Sequence, residues 1–152
     1  MKNLIFSTLL LISITSCEND DDNIIEQVFT PQVITPVLIA QNTSGGPYYN
    51  FPNQEFTYFT NENDWEQFKT NYWIQSTIYP ETIVDFTQHI PIICIDQTRP
   101  DSGYVININS IIEYQDSIVV ETESLYGPGF QTPSRPFIAV KIPKTNKPIV
   151  FQ

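Results

Sequence analysis

The chain has 152 residues, 41% of them hydrophobic and 13% aromatic, which suits one globular domain with its own core and leaves no comfortable room for two. Its formal charge is −10 and no stretch is rich in Lys or Arg. Phosphate backbones need clustered cations, so no nucleic-acid partner is expected; an anionic headgroup surface would repel the domain too, and the charge reads as a solubility feature.

Lys2 forms a short positive start, and Leu4 to Ile14 is mostly apolar. That stretch is too short to span a bilayer and has the length of a signal-peptide core. It ends in Ile14-Thr15-Ser16-Cys17, which resembles the bacterial lipobox, where small residues precede an acylated cysteine. Residues 1–16 are therefore expected to be a removed lipoprotein signal peptide, and Cys17 to carry the lipid. Each buried methylene adds roughly 0.8 kcal/mol, so several acyl chains such as palmitate anchor stably. Glu18 to Asn23 is an acidic, solvated run, and residues 17–36 read as the lipidated cysteine and a flexible tether. The run resembles the acidic signals of Bacteroidetes lipoproteins, which implies an outer-membrane, lipid-anchored protein at the cell surface, or otherwise on the periplasmic face.

The folded domain is expected over residues 37–152. Val37 to Ala40 predicts a first strand, and Gln41 to Asn53, with Gly45-Gly46-Pro47, a loop. Tyr48, Tyr49 and Phe51 in that loop either cover a core edge, the favoured reading, or form a binding platform. Glu55 to Thr60 predicts a strand. Asn63 as N-cap with Glu66 three residues later predicts a helix, with Trp65, Phe68 and Tyr72 on its buried face. Ile83 to Phe86 reads as a brief extended segment. Ile90 to Asp96 is a nearly continuous apolar run, expected as a central strand with Pro91 at its start. Cys94 lies within it and is expected to pack in the core rather than pair with Cys17. Arg99 to Gly103 predicts a tight turn. Tyr104 to Ile112 and Ser117 to Thr122, joined at Gln115-Asp116, predict a β-hairpin. Tyr126 to Pro136 carries Gly127, Pro128, Gly129 and Pro133 and reads as a long stiff loop. Phe137 to Ile142 and Pro148 to Phe151 predict the last strands. About seven short strands and one short α-helix define a mainly β chain, an antiparallel sandwich or open barrel.

The order of these pieces resembles the C-terminal domain of the protease-complex subunit PrcB family over residues 37–151. It is carried by Trp65-Glu66-Gln67-Phe68, Val84-Asp85-Phe86, Ile92–Ile95, the turn and strand Arg99–Ile108 with Gly103-Tyr104, the loop ending Thr132-Pro133, and the closing strand Pro136–Pro143. Where the family often has a second glycine before Gly-Tyr, Ser102 stands here. The resemblance implies association with a secreted or surface protease complex and implies no catalytic residues.

Catalytic constellations are poorly supported by the residues themselves. His89 is the single histidine, and with Asp85 and Ser102 it permits a triad only arithmetically, without a nucleophile-elbow pattern. Glu121 and Glu123 share one strand face at a separation near 7 Å, by roughly 3.4 Å of rise per residue, a pairing common on exposed faces. No zinc spacing, calcium loop or phosphate-cradling glycine loop is present, so neither cofactor nor metal is expected. Asp116-Ser117-Ile118 resembles the O-glycosylation site of Bacteroidetes envelope proteins, with Ser117 as acceptor.

The expected function is that of a non-catalytic binding or accessory subunit that docks on an envelope protein or protease. The Gly127–Pro136 loop, with Tyr126, Phe130 and Arg135 as interface-type residues, is the expected docking element. The competing reading of the loop has it cross the domain with Phe130 in the core. A glycan-binding surface lipoprotein, using Tyr48, Tyr49, Phe51 and Trp73, is the alternative function.

Overall fold

A computed structural model describes residues 28–42, 54–72 and 83–152. The expected signal peptide, Cys17, and the aromatic residues Tyr48, Tyr49, Phe51 and Trp73 lie outside the described residues. In chain order the elements are β1 (Gln32–Val33), β2 (Val37–Asn42), β3 (Glu55–Tyr58), α1 (Glu62–Tyr72), β4 (His89–Ile95), β5 (Tyr104–Glu113), β6 (Ile118–Tyr126), β7 (Phe137–Pro143) and β8 (Ile149–Phe151). They build two four-stranded sheets, ordered β1-β5-β6-β8 and β2-β7-β4-β3. The described residues are thus mainly β, an antiparallel-rich sandwich with one short helix, and every pairing among them but the parallel β6–β8 pair is antiparallel.

The continuous apolar run of β4 has a direct cause: its sheet is covered on both faces. Side chains alternate across a strand. Ile90, Ile92 and Cys94 face the other sheet with Ile138, Val140 and Ile142 of β7 and with Ile106, Ile111, Ile118, Val120 and Ile149. The intervening Ile93 and Ile95 join Phe137, Ala139, Ile39, Ala40, Trp65, Phe68 and Val84 on the helix side. The result is three layers: sheet, sheet, helix. Pro91 is the third residue of β4 rather than its first. It is tolerated because its carbonyl, which accepts the Phe59 N–H at 3.0 Å, points to the β3 side just beyond the end of that strand.

Sheet β1-β5-β6-β8 has one outer face, so its strands alternate, and β5 alternates in two phases. The β5–β6 register shifts between Ile108 and Ser110, so Ile106 on one side of the bulge and Ile111 on the other both reach the core despite odd spacing. The connection is tight, with the Tyr114 N–H donating to the Ser117 carbonyl at 2.8 Å around Gln115-Asp116, where the turn was expected. The second hairpin strand, however, runs to Tyr126 and not to Thr122.

Three further elements differ from expectation. Gln32 and Val33, inside the expected tether, pair with Glu113 and Ile112 of β5, and the Ile34 N–H donates to the Ile111 carbonyl at 2.8 Å. Both β1 side chains are exposed, so no apolar alternation marks the strand. The helix cap is Asn61, not Asn63: its Oδ1 accepts the Asp64 N–H at 3.0 Å, and its Nδ2 donates to the Asp64 carboxylate at 2.7 Å. Trp65 and Phe68 are buried as the periodicity predicts, their rings stacked at 5.9 Å, with Phe59 5.3 and 5.1 Å away. Each such ring contributes roughly 2–3 kcal/mol by burial. The brief extended segment expected over Ile83–Phe86 gives way to a turn at Phe86. Val84 drops into the helix-side core, and the Asp85 carboxylate accepts the Thr87 N–H and hydroxyl at 2.8 and 2.7 Å to shape a turn over Phe86–Gln88.

Candidate protein interface

One end of the sandwich is built from two loops, 96–103 after β4 and 127–136 between β6 and β7, and a buried charge joins them. Asp96 is 1% exposed at the end of β4. Arg99 donates to it through Nε at 2.8 Å and Nη2 at 3.0 Å. Its Oδ2 also accepts the Ser124 hydroxyl of β6 at 2.8 Å, and its Oδ1 the Gln97 N–H at 2.7 Å. A buried carboxylate is tolerable only when its lone pairs are so occupied. The Arg99 guanidinium lies 4.8 Å over the Tyr104 ring, which packs at 4.7 Å against Tyr126. Three strand ends are thereby clamped by one arginine.

The 127–136 loop is fastened on that base by backbone contacts. Arg99 and Ser134 form an antiparallel bridge, and the Ser134 hydroxyl donates to the Asp101 carbonyl at 2.5 Å. The Ser102 Oγ accepts the Phe130 N–H at 2.8 Å, while the Ser102 N–H donates to the Phe130 carbonyl at 3.0 Å. The Gly127 N–H donates to the Gly103 carbonyl at 2.8 Å. Two glycines make this approach possible. A Cβ on Gly129 would lie 2.1 Å from the Gly103 nitrogen, and one on Gly103 would lie 2.2 Å from the Gly127 carbonyl oxygen. Both positions are occupied by neighbouring backbone, which no side chain can displace cheaply. Arg135 at the far end donates through Nε to the Thr98 hydroxyl at 3.1 Å, with Nη2 on the same oxygen.

The loop therefore holds its residues out rather than in. Phe130 is 82% exposed and Tyr126 67% exposed, which removes the reading that tucks Phe130 into the core. Tyr126 belongs to the end of β6, and Arg135 is half-buried against Thr98. The three residues singled out in the sequence thus sit on one continuous loop-and-strand end, but the pieces that fix them were missed. Those pieces are Asp96, Arg99, Ser102 and Ser124. A carboxylate ending an apolar strand with an arginine three residues on was the available signal for the first two. For Ser102 and Ser124 there was none, because their partners lie 28 residues away.

The other candidate residues are dispersed. His89 opens β4 and Ser102 lies beyond its far end, so roughly 20 Å of strand, at about 3.3 Å per residue, separates them. The hydrogen bond between Asp85 and His89 is through backbone, the Asp85 carbonyl accepting the His89 N–H at 2.8 Å, and the buried His89 Nδ1 has no hydrogen-bond partner among the described residues. The Asp85 carboxyl is held below the usual carboxylate range, first by the Thr87 hydroxyl and then by the Thr87 N–H. Glu121 and Glu123 are exposed and bond across the strand pair to Ser110 at 2.7 Å and Asn109 at 3.0 Å. Ser117 is half-buried at the end of an exposed turn. Among the described residues no cluster of His, Cys, Asp and Glu could hold a metal ion, and no helix is long and apolar enough to cross a membrane. Compared with known proteins, the chain matches no family model, no curated protein and no solved structure.

Proposed function

We propose that this protein is a lipid-anchored envelope lipoprotein whose β-sandwich acts as a docking or accessory subunit, presenting the Tyr126–Arg135 end to a protein partner in the outer membrane or at the cell surface. The observation that carries the reading is Phe130, a large apolar side chain 82% exposed on a loop whose backbone is bonded to Ser102 on both its N–H and its carbonyl. Exposing a phenylalanine in water while pre-ordering its backbone lowers the entropy lost on binding. Aromatic residues and arginine are the side chains that dominate interface energetics. The resemblance to the PrcB family supports a secreted or surface protease complex as the partner class. The signal-like segment 1–16, Cys17 and the acidic run after it support the anchor. The test is a cross-linked pull-down of the lipidated protein from native membranes, with and without residues 127–131. A stoichiometric partner, lost with the deletion, is the expected result. A partner retained by the deletion overturns the docking role of this loop, and no partner at all moves the function to the glycan reading.

A further inference from the structure

Strand β6 is covered unequally on its two edges. On one side β5 pairs with it from Ile118 to Tyr126. On the other, β8 pairs only with Ile118, Val119 and Val120. The Ile118 N–H donates to the Pro148 carbonyl at 2.9 Å, the Gln152 N–H to the Val120 carbonyl at 2.9 Å, and the Thr122 N–H to the Gln152 carbonyl at 2.9 Å. Residues 118, 120 and 122 therefore turn their backbone groups to the β8 side. The opposite phase is set by Gly127, whose N–H donates to Gly103 on the β5 side. Alternation then directs the N–H and carbonyl of Ser124 and Tyr126 to the same side as those groups, where no strand lies beside them among the described residues. Glu123, Ser124, Leu125 and Tyr126 are all exposed. The open slot is about 13 Å long, at roughly 3.3 Å per residue.

We propose that an extended, cationic segment of the docking partner adds to the β6 edge at residues 122–126, continuing the position that β8 occupies. The inference rests on the docking reading and states which segment of a partner it fits. Unpaired strand backbone is satisfied by another strand, which specifies an extended chain. The charge is specified by Glu121 and Glu123 on the outer face. Both carboxylates bond only to the neutral groups of Ser110 and Asn109 and enter none of the ion pairs among the described residues. A second copy of this chain is disfavoured as occupant, because pairing on this edge would bring together two chains of formal charge −10. Alternation in the incoming strand places basic side chains beside Glu123 and apolar ones beside Ser124 and Tyr126, next to the loop that carries Phe130.

The test uses the full chain with a seven-residue synthetic peptide alternating lysine and valine, and follows backbone amide exchange residue by residue. Exchange at Ser124 and Tyr126 is expected to slow at least tenfold on saturation. Glu123→Lys is expected to weaken peptide binding at least tenfold at low salt, and a peptide of the same composition interrupted by proline is expected not to bind. Unchanged exchange at these two amides at millimolar peptide overturns the inference. So does slowing that needs no peptide and rises with protein concentration, since the occupant is then a second copy. In the complex with the pulled-down partner, loss of binding on deleting 127–131 with fast exchange at Ser124 and Tyr126 would remove the strand addition and leave the docking role standing.

Discussion

At Asp96 a single carboxylate joins the two loops of the candidate interface end. Its 1% exposure means that removing a partner leaves a charge in the interior, which costs more than the pair is worth. Arg99→Ala, which strands the Asp96 carboxylate, is expected to lower stability by about 3–5 kcal/mol in denaturant titration. Asp96→Leu combined with Arg99→Met is expected to cost less than Arg99→Ala alone, because no charge is then stranded. Phe130 is the opposite case. Phe130→Ala is expected to leave stability within about 0.5 kcal/mol and to weaken partner binding by about 2 kcal/mol or more, a split that calorimetry and binding titration would read separately. Cys94 adds a pH dependence. It is a free, buried thiol, and burial pushes it from 9.0 up to about 12. In the window between those values the unfolded chain has released this proton and the native chain keeps it, so stability falls as pH rises. Cys94→Ala, although about 1–2 kcal/mol less stable at neutral pH, is expected to show a shallower decline above pH 9.

At the level of elements, the start of α1 separates two readings of the same sequence. Asn63 and Glu66 have capping-box spacing, yet Asn61 makes the cap. Both asparagines are acceptable N-caps in isolation, and Asp64, at hydrogen-bonding distance from Asn61 on both side chain and backbone, selects the earlier one. Asn61→Ala is expected to cost about 1 kcal/mol, whereas Asn63→Ala, inside the exposed first turn, is expected to be neutral or slightly stabilising, measured by thermal unfolding. The loop 127–136 is held in the same local way. Gly129→Ala forces its backbone away from Gly103 and is expected to cost about 1–3 kcal/mol. Because the displaced segment carries Phe130, the same variant is expected to weaken partner binding, unlike a destabilising change at the helix cap. The β4 apolar run was legible as a buried strand, since a nearly continuous apolar run from Ile90 to Ile95 fits a sheet covered on both faces. The exposed pair Gln32–Val33 was not, because a two-residue strand defined by its partner's ladder leaves no periodic trace.

For the whole molecule, three layers place the helix and the interface end on different parts of one scaffold. The helix side is closed by Trp65, Phe68 and Phe137, while the end between the two long loops carries the exposed aromatics. Lys147 ties the other end of the sandwich. It pairs with Glu113 at 2.7 Å, donates to the Tyr114 carbonyl at 2.7 Å and lies 4.4 Å from the Phe29 ring, so the chain entering β1 is held against the β5–β6 turn. The tether proposed to follow Cys17 would then meet the domain at β1, not at β2.

The sequence by itself determined the class of fold, the helix with its aromatic face, the central strand, the hairpin turn and the loop after β6. Each of these is written in periodicity or turn chemistry over a few consecutive residues. Only the tertiary structure decided the parallel β8, the bulge that rephases β5, the choice of helix cap, and the direction of Phe130. It also decided that Ser102 lies far from Asp85 and His89. Those outcomes depend on residues brought together from distant positions, such as Ser102 with Phe130 or Asp96 with Ser124, and no local pattern records such a contact.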